Sequence, residues 1–484
     1  MRYRESLTIP IALDRDATSP MHQQIAGQVT AAVDARVLLR GTRMPSTRTL
    51  AELLGVSRGV AVAAYAELFA LGYLEGQPGS GTYVVDPRPR RSLSGAPMSH
   101  GDGPLVDLTP GQPSGEAFPL ASWRAAWREA SFRPPAASLP PPLGVAALRQ
   151  AIGEHLVRTR GVALEGREVI VTSGAGHGLR LVLDALGLRG AAVAVEEPAT
   201  PAVLAAAGGT GGEDPIPLPV DHAGARLDMV PPSCRALVLS ADGHLPTGAV
   251  LSARRREAAQ TWAHRNDGRI VELACDAVFR PGAAGLPRLL TAASGTATLV
   301  GGFCDVLTPT LKLGYAVVPT GLARQIARWL AERAEQPAHV TQLAVAALLR
   351  DGTVLRRMYR LGRLYAGKRR IVESALRALA PQVRVDRLDG VGSALLQLPS
   401  NVDATDIAES LRAGGIRVPA LAEYHFSGRP ALNALVLGYG HLHDDALHQA
   451  LVELVDALGR ELGYASTGAG RPNRFGRPDL VPAA

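Results

Sequence analysis

Amines that could act as nucleophiles are scarce in this 484-residue chain: only Lys312 and Lys368 are lysines, so nearly all of its 51 basic residues are arginine. Lysine can attack a carbonyl, whereas arginine stays protonated and serves as a fixed charge. Lys312 lies in the stretch Phe303-Cys304-Asp305-Val306-Leu307-Thr308-Pro309-Thr310-Leu311-Lys312-Leu313-Gly314-Tyr315, seven residues after Asp305. A carboxylate at 305 cannot form an imine with an aldehyde, as an amine in its place would. Thr172-Ser173-Gly174-Ala175-Gly176-His177 is a glycine-rich turn before a helix starting near Leu179. Such a turn cradles phosphate, and it serves equally as a plain strand-to-helix connection. His177, His244 and His425 are either ligand contacts or structural imidazoles, and their spacing suggests no metal. Cys234, Cys275 and Cys304 lie far apart without a CxxC pair, which argues against a disulfide framework or a zinc site.

These residues need a scaffold, and the apolar pattern outlines one. From Val169 onward, short apolar runs alternate with helical stretches: Val169-Ile170-Val171, Ala192-Val193-Ala194-Val195, Ala236-Leu237-Val238-Leu239, Ile270-Val271-Glu272-Leu273 and Thr298-Leu299-Val300. Runs without polar alternation predict strands buried on both faces of a mostly parallel sheet in an α/β domain. Long helices are expected around 349–379, with Lys368 on a solvated helix face. The chain exceeds the roughly 250–300 residues at which one core stops growing, so at least two domains are expected. Its net charge is +7 and 46% of its residues are apolar. No apolar run approaches the about 18 residues of a membrane span, and the N-terminus lacks a signal-peptide core, so the expectation is a cytoplasmic protein with no membrane partner.

The N-terminal residues read as a separate module. Ser19-Pro20 opens a helix carrying Ile25, Val29 and Val33 on one face; Ser46 caps a second with Leu50, Leu53 and Leu54 inward; Gly55 ends it, and Ser57 caps a third running to about Ala70. Tyr73-Leu74-Glu75 and Thr82-Tyr83-Val84-Val85 then predict a hairpin. Three helices and a hairpin make a winged helix-turn-helix. Met44-Pro45-Ser46-Thr47-Arg48-Thr49-Leu50-Ala51, Gly55-Val56-Ser57-Arg58 and Gly79-Ser80-Gly81-Thr82-Tyr83-Val84 resemble the signature blocks of GntR-type DNA-binding domains. That resemblance implies double-stranded DNA as partner. It places Arg43, Arg48 and Arg58 on phosphates or base edges, Ser46, Thr47 and Ser57 on the DNA backbone, and Ser80, Gly81 and Thr82 in the wing.

The stretch at 303–315 is similar to the Phe-Ser-Lys…Arg-Leu-Gly-Tyr motif of fold-type I aminotransferases and of the MocR-type regulators that share their fold. The resemblance spans residues 1 to about 463. It implies a pyridoxal-phosphate (PLP) site in which Asp305 replaces the Schiff-base lysine, Lys312 replaces the phosphate-binding arginine, and Thr200 follows Glu196-Glu197-Pro198 where an aromatic usually stacks. In Glu272-Leu273-Ala274-Cys275-Asp276-Ala277-Val278-Phe279-Arg280, Leu273 replaces the aspartate that pairs with the ring nitrogen, and Cys275 replaces the tyrosine on the ring hydroxyl. Asp242-Gly243-His244-Leu245-Pro246-Thr247-Gly248 keeps the family's Pro-Thr-Gly, and Val436 fills the place that often carries an arginine for a substrate carboxylate. The degenerate pocket, a candidate effector site, therefore comprises Gly174, Ala175, Gly176, His177, Thr200, His244, Leu273, Cys275, Cys304, Asp305 and Lys312.

The domains expected are a winged helix-turn-helix at 1–86, a linker at 87–104, an aminotransferase-like domain at 105–466 and a disordered tail at 467–484. The expected function is a DNA-binding transcriptional regulator, a homodimer arranged head to tail, that senses an unidentified small effector without covalent PLP and without catalysis. Rival readings hold PLP noncovalently, place the imine on Lys312, retain residual aminotransferase activity, or make the large domain a structural dimerisation module alone.

Overall fold

The computed structural model describes residues 10–15, 17, 19–34, 37–39, 41–77, 81–84, 106–134, 137–188, 191–208, 214–274, 286–291, 295–386, 392–428 and 432–463. The expected linker (87–104) and C-terminal tail (467–484) lie outside them. The chain divides into two compact units, Met1–Asp102 and Gly103–Ala484.

The first unit contains α1 (Met21–Asp34), β1 (Arg43–Met44), α2 (Thr47–Leu54), α3 (Arg58–Ala70), β2 (Leu74–Gln77) and β3 (Gly81–Val84). Ile25, Val29, Leu50, Ala61, Ala64 and Leu68 are buried together beneath the hairpin residues Leu74 and Val84. Gly55 takes φ 61°, a left-handed conformation that lets α2 stop before α3 begins. Two details depart from expectation. Arg43–Met44 adds a third strand, antiparallel to β3, where only a helix break was expected. Leu53, expected inward, is 51% exposed, because α2 has one buried stripe and Leu50 and Ala51 occupy it.

The second unit begins with β4 (Val106–Asp107), α4 (Leu120–Ser131) and α5 (Ala146–Arg160). Next come β5 (Arg167–Thr172), α6 (Ala175–Ala185), β6 (Ala192–Glu197), α7 (Pro201–Ala207), β7 (Ile216–Asp221), β8 (Gly224–Ala225), β9 (Cys234–Leu239), α8 (Ala253–Arg265), β10 (Arg269–Leu273), β11 (Ala297–Gly302) and β12 (Gly314–Pro319). They build an eight-stranded sheet in the order β5-β12-β11-β10-β9-β6-β7-β8. The pairs from β11 through β7 are parallel, and β12 runs antiparallel to both its neighbours. Alternate side chains enter two cores, one on each face: Leu237, Leu239, Ile270 and Leu299 in one, Ala236, Val238, Val271 and Val300 in the other. Burial on both faces explains the uninterrupted apolar runs of the sequence.

The chain continues with α9 (Thr320–Arg333), α10 (His339–Arg350), α11 (Thr353–Leu376), β13 (Arg384–Asp386), β14 (Ser393–Gln397), α12 (Ala404–Ala413), β15 (Ile416–Arg417), β16 (Ala434–Gly438) and α13 (Asp444–Glu461). β13, β14 and β16 form an antiparallel sheet over a third core, and β15 pairs with β4. No single helix among the described residues is long and apolar enough to cross a membrane.

Candidate functional site

A cavity of about 190 Å³ opens at the carboxyl ends of β6, β9, β10 and β11, beside the first turns of α6 and α7. In an open parallel sheet this is where ligands bind, because the strand ends and helix N-termini converge there. Leu179, Val195, Val203, Val238, Leu273 and Val300 give it an apolar wall, while Glu196, Thr200, Ser240, His244 and Asp305 supply the polar groups. Gly314 permits the close packing beneath it: a Cβ there would lie 2.6 Å from the Gly301 carbonyl oxygen and 2.7 Å from the Gly174 carbonyl carbon, so only glycine lets the start of α6 rest on the sheet.

The strand pleat decides which acid meets the cavity. On β6, Glu196 faces it, while Glu197 points the other way and accepts the backbone N–H groups of Phe426 and Ser427, each at 2.8 Å, and the Ser427 hydroxyl. Oε2 of Glu196 accepts the Ser240 N–H at 2.7 Å and lies 3.9 Å from His244 Nε2; Oε1 is buried with no hydrogen-bond partner. Burial raises this carboxyl to about 7 against the opposing pull of the Ser240 N–H and of the Ser240 side chain. Asp305 accepts the Cys304 thiol at 3.5 Å, and burial raises its pKa too. Burial first, and then the Asp305 charge, push the Cys304 thiol up to about 12, so it stays protonated and unreactive. On β10 the same alternation turns Leu273 to the cavity and Glu272 away, where Glu272 accepts Arg160 at 2.8 Å. Arg160 also meets Asp242, at 2.8 Å, and Arg256 and Arg288 bind Asp242 at 3.0 and 2.9 Å. This network anchors the loop after β9 that carries Ser240, Gly243 and His244 to the cavity wall.

In the first unit, Ser46 and Ser57 use their hydroxyls as helix caps, accepting the N–H groups of Thr49 at 3.1 Å and Val60 at 3.4 Å. Arg43, Arg48 and Arg58 are exposed, as is Gly81, with Thr47 and Thr82 half-buried. Arg48 and Arg58 lie in the first turns of α2 and α3, so guanidinium charge and helix N-termini lie together, the electrostatics a phosphate backbone requires. Ser80 lies outside the described residues.

Residues 21–84 match the family model of bacterial regulatory proteins, gntR family, and residues 104–430 match aminotransferase class I and II. The HTH-type pyridoxine biosynthesis transcriptional regulator PdxR of Corynebacterium glutamicum is 34% identical over 459 residues, covering 93% of this chain and 98% of that protein. The chain is a MocR-type transcriptional regulator of the GntR family. A probable rhizopine catabolism regulatory protein, MocR of Rhizobium meliloti, is 29% identical over 493 residues, 95% of this chain and 97% of that one. Among solved structures, the multiple substrate aminotransferase of Thermococcus profundus superposes with a TM-score of 0.67 at 19% identity, over 75% of this chain and 93% of that chain, a likeness of fold. The DNA-binding module and the aminotransferase-like fold expected from the sequence are thus both present.

Within this MocR-type chain, Ala175, Gly176, Thr200, His244, Leu273 and Asp305 line the cavity. Gly174 precedes α6 at φ 93°, and Cys304 bonds Asp305. His177 instead accepts the Ser173 N–H at 3.0 Å through Nδ1 and approaches Glu335 at 3.4 Å through Nε2, so it braces the turn. Lys312 is exposed and does not line the cavity. Lys368, expected on a solvated face, is 1% exposed, since its Nζ donates to the Glu116 carboxylate and the Leu442 carbonyl. Val436 is buried in the core of β16 and lines no part of the cavity. Cys275 and Asp276 to Arg280 lie outside the described residues. Sequence reasoning singled out neither Glu196 nor Ser240; the signal was two adjacent acids closing the apolar run at 192–195.

Proposed function

We propose that this regulator binds its operator as a head-to-tail homodimer, and that its aminotransferase-like domain senses a small ligand without holding PLP covalently and without catalysing transamination. Asp305 carries this reading: the side chain at the nucleophile position is a carboxyl that opens on the cavity, and neither of the chain's two lysines does. The residues present do not fit the covalent cofactor. Among the described residues the cavity lining contains no amine for the aldehyde and no lysine or arginine for the phosphate, and Leu273 offers the ring nitrogen no charge. Ligand control of DNA affinity then requires two dimer conformations that bind the ligand unequally, since equal binding shifts nothing. A second reading, PLP held noncovalently, is favoured by the start of α6, where Gly174 presents no capping side chain and the helix N-terminus attracts an anion. Assay of the unaltered protein with PLP and amino donors tests the non-enzymatic reading: no transamination is expected, and measurable turnover would refute it. Asp305→Lys should stay inactive too, because Leu273 still leaves the ring nitrogen unpaired, and turnover in that variant would refute the role given to Leu273.

A further inference from the structure

At about 100° per residue α3 divides into two sides. Ala61, Ala64, Tyr65 and Leu68 are buried on one, and Arg58, Gly59, Val62 and Ala66 are exposed on the other. The chain axis turns by 119° between α2 and α3 across Gly55-Val56-Ser57, the geometry of a helix-turn-helix, whose second helix lies in the major groove. The exposed side is the one that meets the bases, and Arg58 is the only one of its four residues whose side chain can form a hydrogen bond. Val62 is 48% exposed and has no place in the apolar core beneath the helix, nor has Ala66. Gly59 is also open, since a Cβ there would meet only the Ser57 hydroxyl, at 3.9 Å. Glycine weakens a helix relative to alanine, and no neighbour of Gly59 requires it.

In the major groove the apolar marker of a base pair is the thymine C5 methyl, and the other markers are hydrogen-bond donors and acceptors. A donor or acceptor pressed against Val62 or Ala66 loses water and gains no partner, whereas a methyl group there gains apolar burial. We propose that Val62, and Ala66 one turn further on, are specificity-determining residues of the operator contact, selecting thymine through its methyl group. Gly59 lets the helix backbone lie close to the base edges beside them. This rests on the reading of the protein as an operator-binding regulator. Arg58 and Val62 are one turn apart, about 6 Å along the axis, so the thymine that meets Val62 lies about two base pairs from the group that Arg58 contacts.

The test begins with selection of duplexes from a random-sequence pool by the full-length protein. The preferred duplex is resynthesised with deoxyuridine at single thymine positions, which removes the methyl and keeps every hydrogen-bonding group. Affinities are then compared by fluorescence anisotropy at one salt concentration. Within each half-site at least one replacement should weaken binding about fourfold, the equivalent of one buried methyl group, and replacements outside the half-sites should leave it unchanged. Val62→Ala, at an exposed site in a helix that alanine favours, should weaken binding to the thymine duplex and bring the thymine-to-deoxyuridine ratio at one position close to unity. A change of fold or of general charge attraction would lower both affinities alike and leave that ratio intact. Equal binding of all thymine and deoxyuridine duplexes, or an undiminished ratio at every position in Val62→Ala, would overturn the methyl assignment and leave DNA binding intact. Binding without any sequence preference would overturn the operator reading as well.

Discussion

Two sets of acids, all buried except the half-buried Asp305, are held in opposite ways. Asp242 and Glu272 meet three guanidinium groups, those of Arg160, Arg256 and Arg288, at 2.8 to 3.0 Å. Glu196 and Asp305 face a cavity with no arginine or lysine beside them among the described residues. Burial is the leading cause of the raised pKa of Glu272 as well, but Arg160 and Arg256 pull that carboxyl back toward ionisation. Nothing cationic does so for Glu196, which reaches about 7. The first set is scaffolding, tying α5, α8 and β10 to the loop that lines the cavity. The second is a destabilising arrangement of the kind that persists where a ligand completes it. Burial is common to both sets; the missing counter-charge is what separates them.

Removing an acid from each set should act in opposite directions. Asp242→Asn strips charge from a network in which Arg256 is 0% and Arg160 2% exposed, and should destabilise the fold by about 3–5 kcal/mol in denaturant unfolding. A loss below about 1 kcal/mol would break the comparison, since it would mean that the network is not charge-balanced. Glu196→Gln should stabilise the ligand-free protein at about pH 8 by up to roughly 3 kcal/mol, the equivalent of a rise from 4.5 to about 7. The sign follows from proton binding: the folded state holds the extra proton between about 4.5 and 7, so native stability falls as pH rises through that window and is flat above it. The variant should lack that slope in melting curves taken across the window, and an unchanged slope would contradict the burial of an unpaired acid. Exposed charge sets the lower end of the scale. The Arg48–Glu52 pair, 3.2 Å apart and 81% and 66% exposed, should register less than about 0.5 kcal/mol on Glu52→Gln. A larger change would mean that exposure is not what separates these sites.

How legible each part was in the sequence follows from how local its cause is. The caps at Ser46 and Ser57, the turn at Gly55 and the buried parallel strands depend on neighbours within a few residues, and the structure places them as read. β12 was not read as a strand, because Gly314-Tyr315 served there as the end of a motif and its antiparallel partners, β5 and β11, are set by the sheet. Lys368 was misplaced because its counter-charge, Glu116, lies 252 residues away. Asp305, His244 and Leu273, singled out through motif frames, line the cavity. Glu196 was not singled out, because Glu196 and Glu197 look alike in sequence and only the pleat, with Phe426 and Ser427 on one side and the cavity on the other, separates their roles.

The most direct test of the central claim, that this aminotransferase-like domain does not hold PLP covalently, is a visible absorption spectrum of the full-length protein with added PLP, followed by borohydride treatment and peptide mass analysis. The expected result is no new absorption band and no adduct on any peptide, since the cavity is lined by the Asp305 carboxyl and by neither lysine. A band accompanied by an adduct on Lys312 or Lys368 would contradict the claim and restore covalent PLP to this regulator.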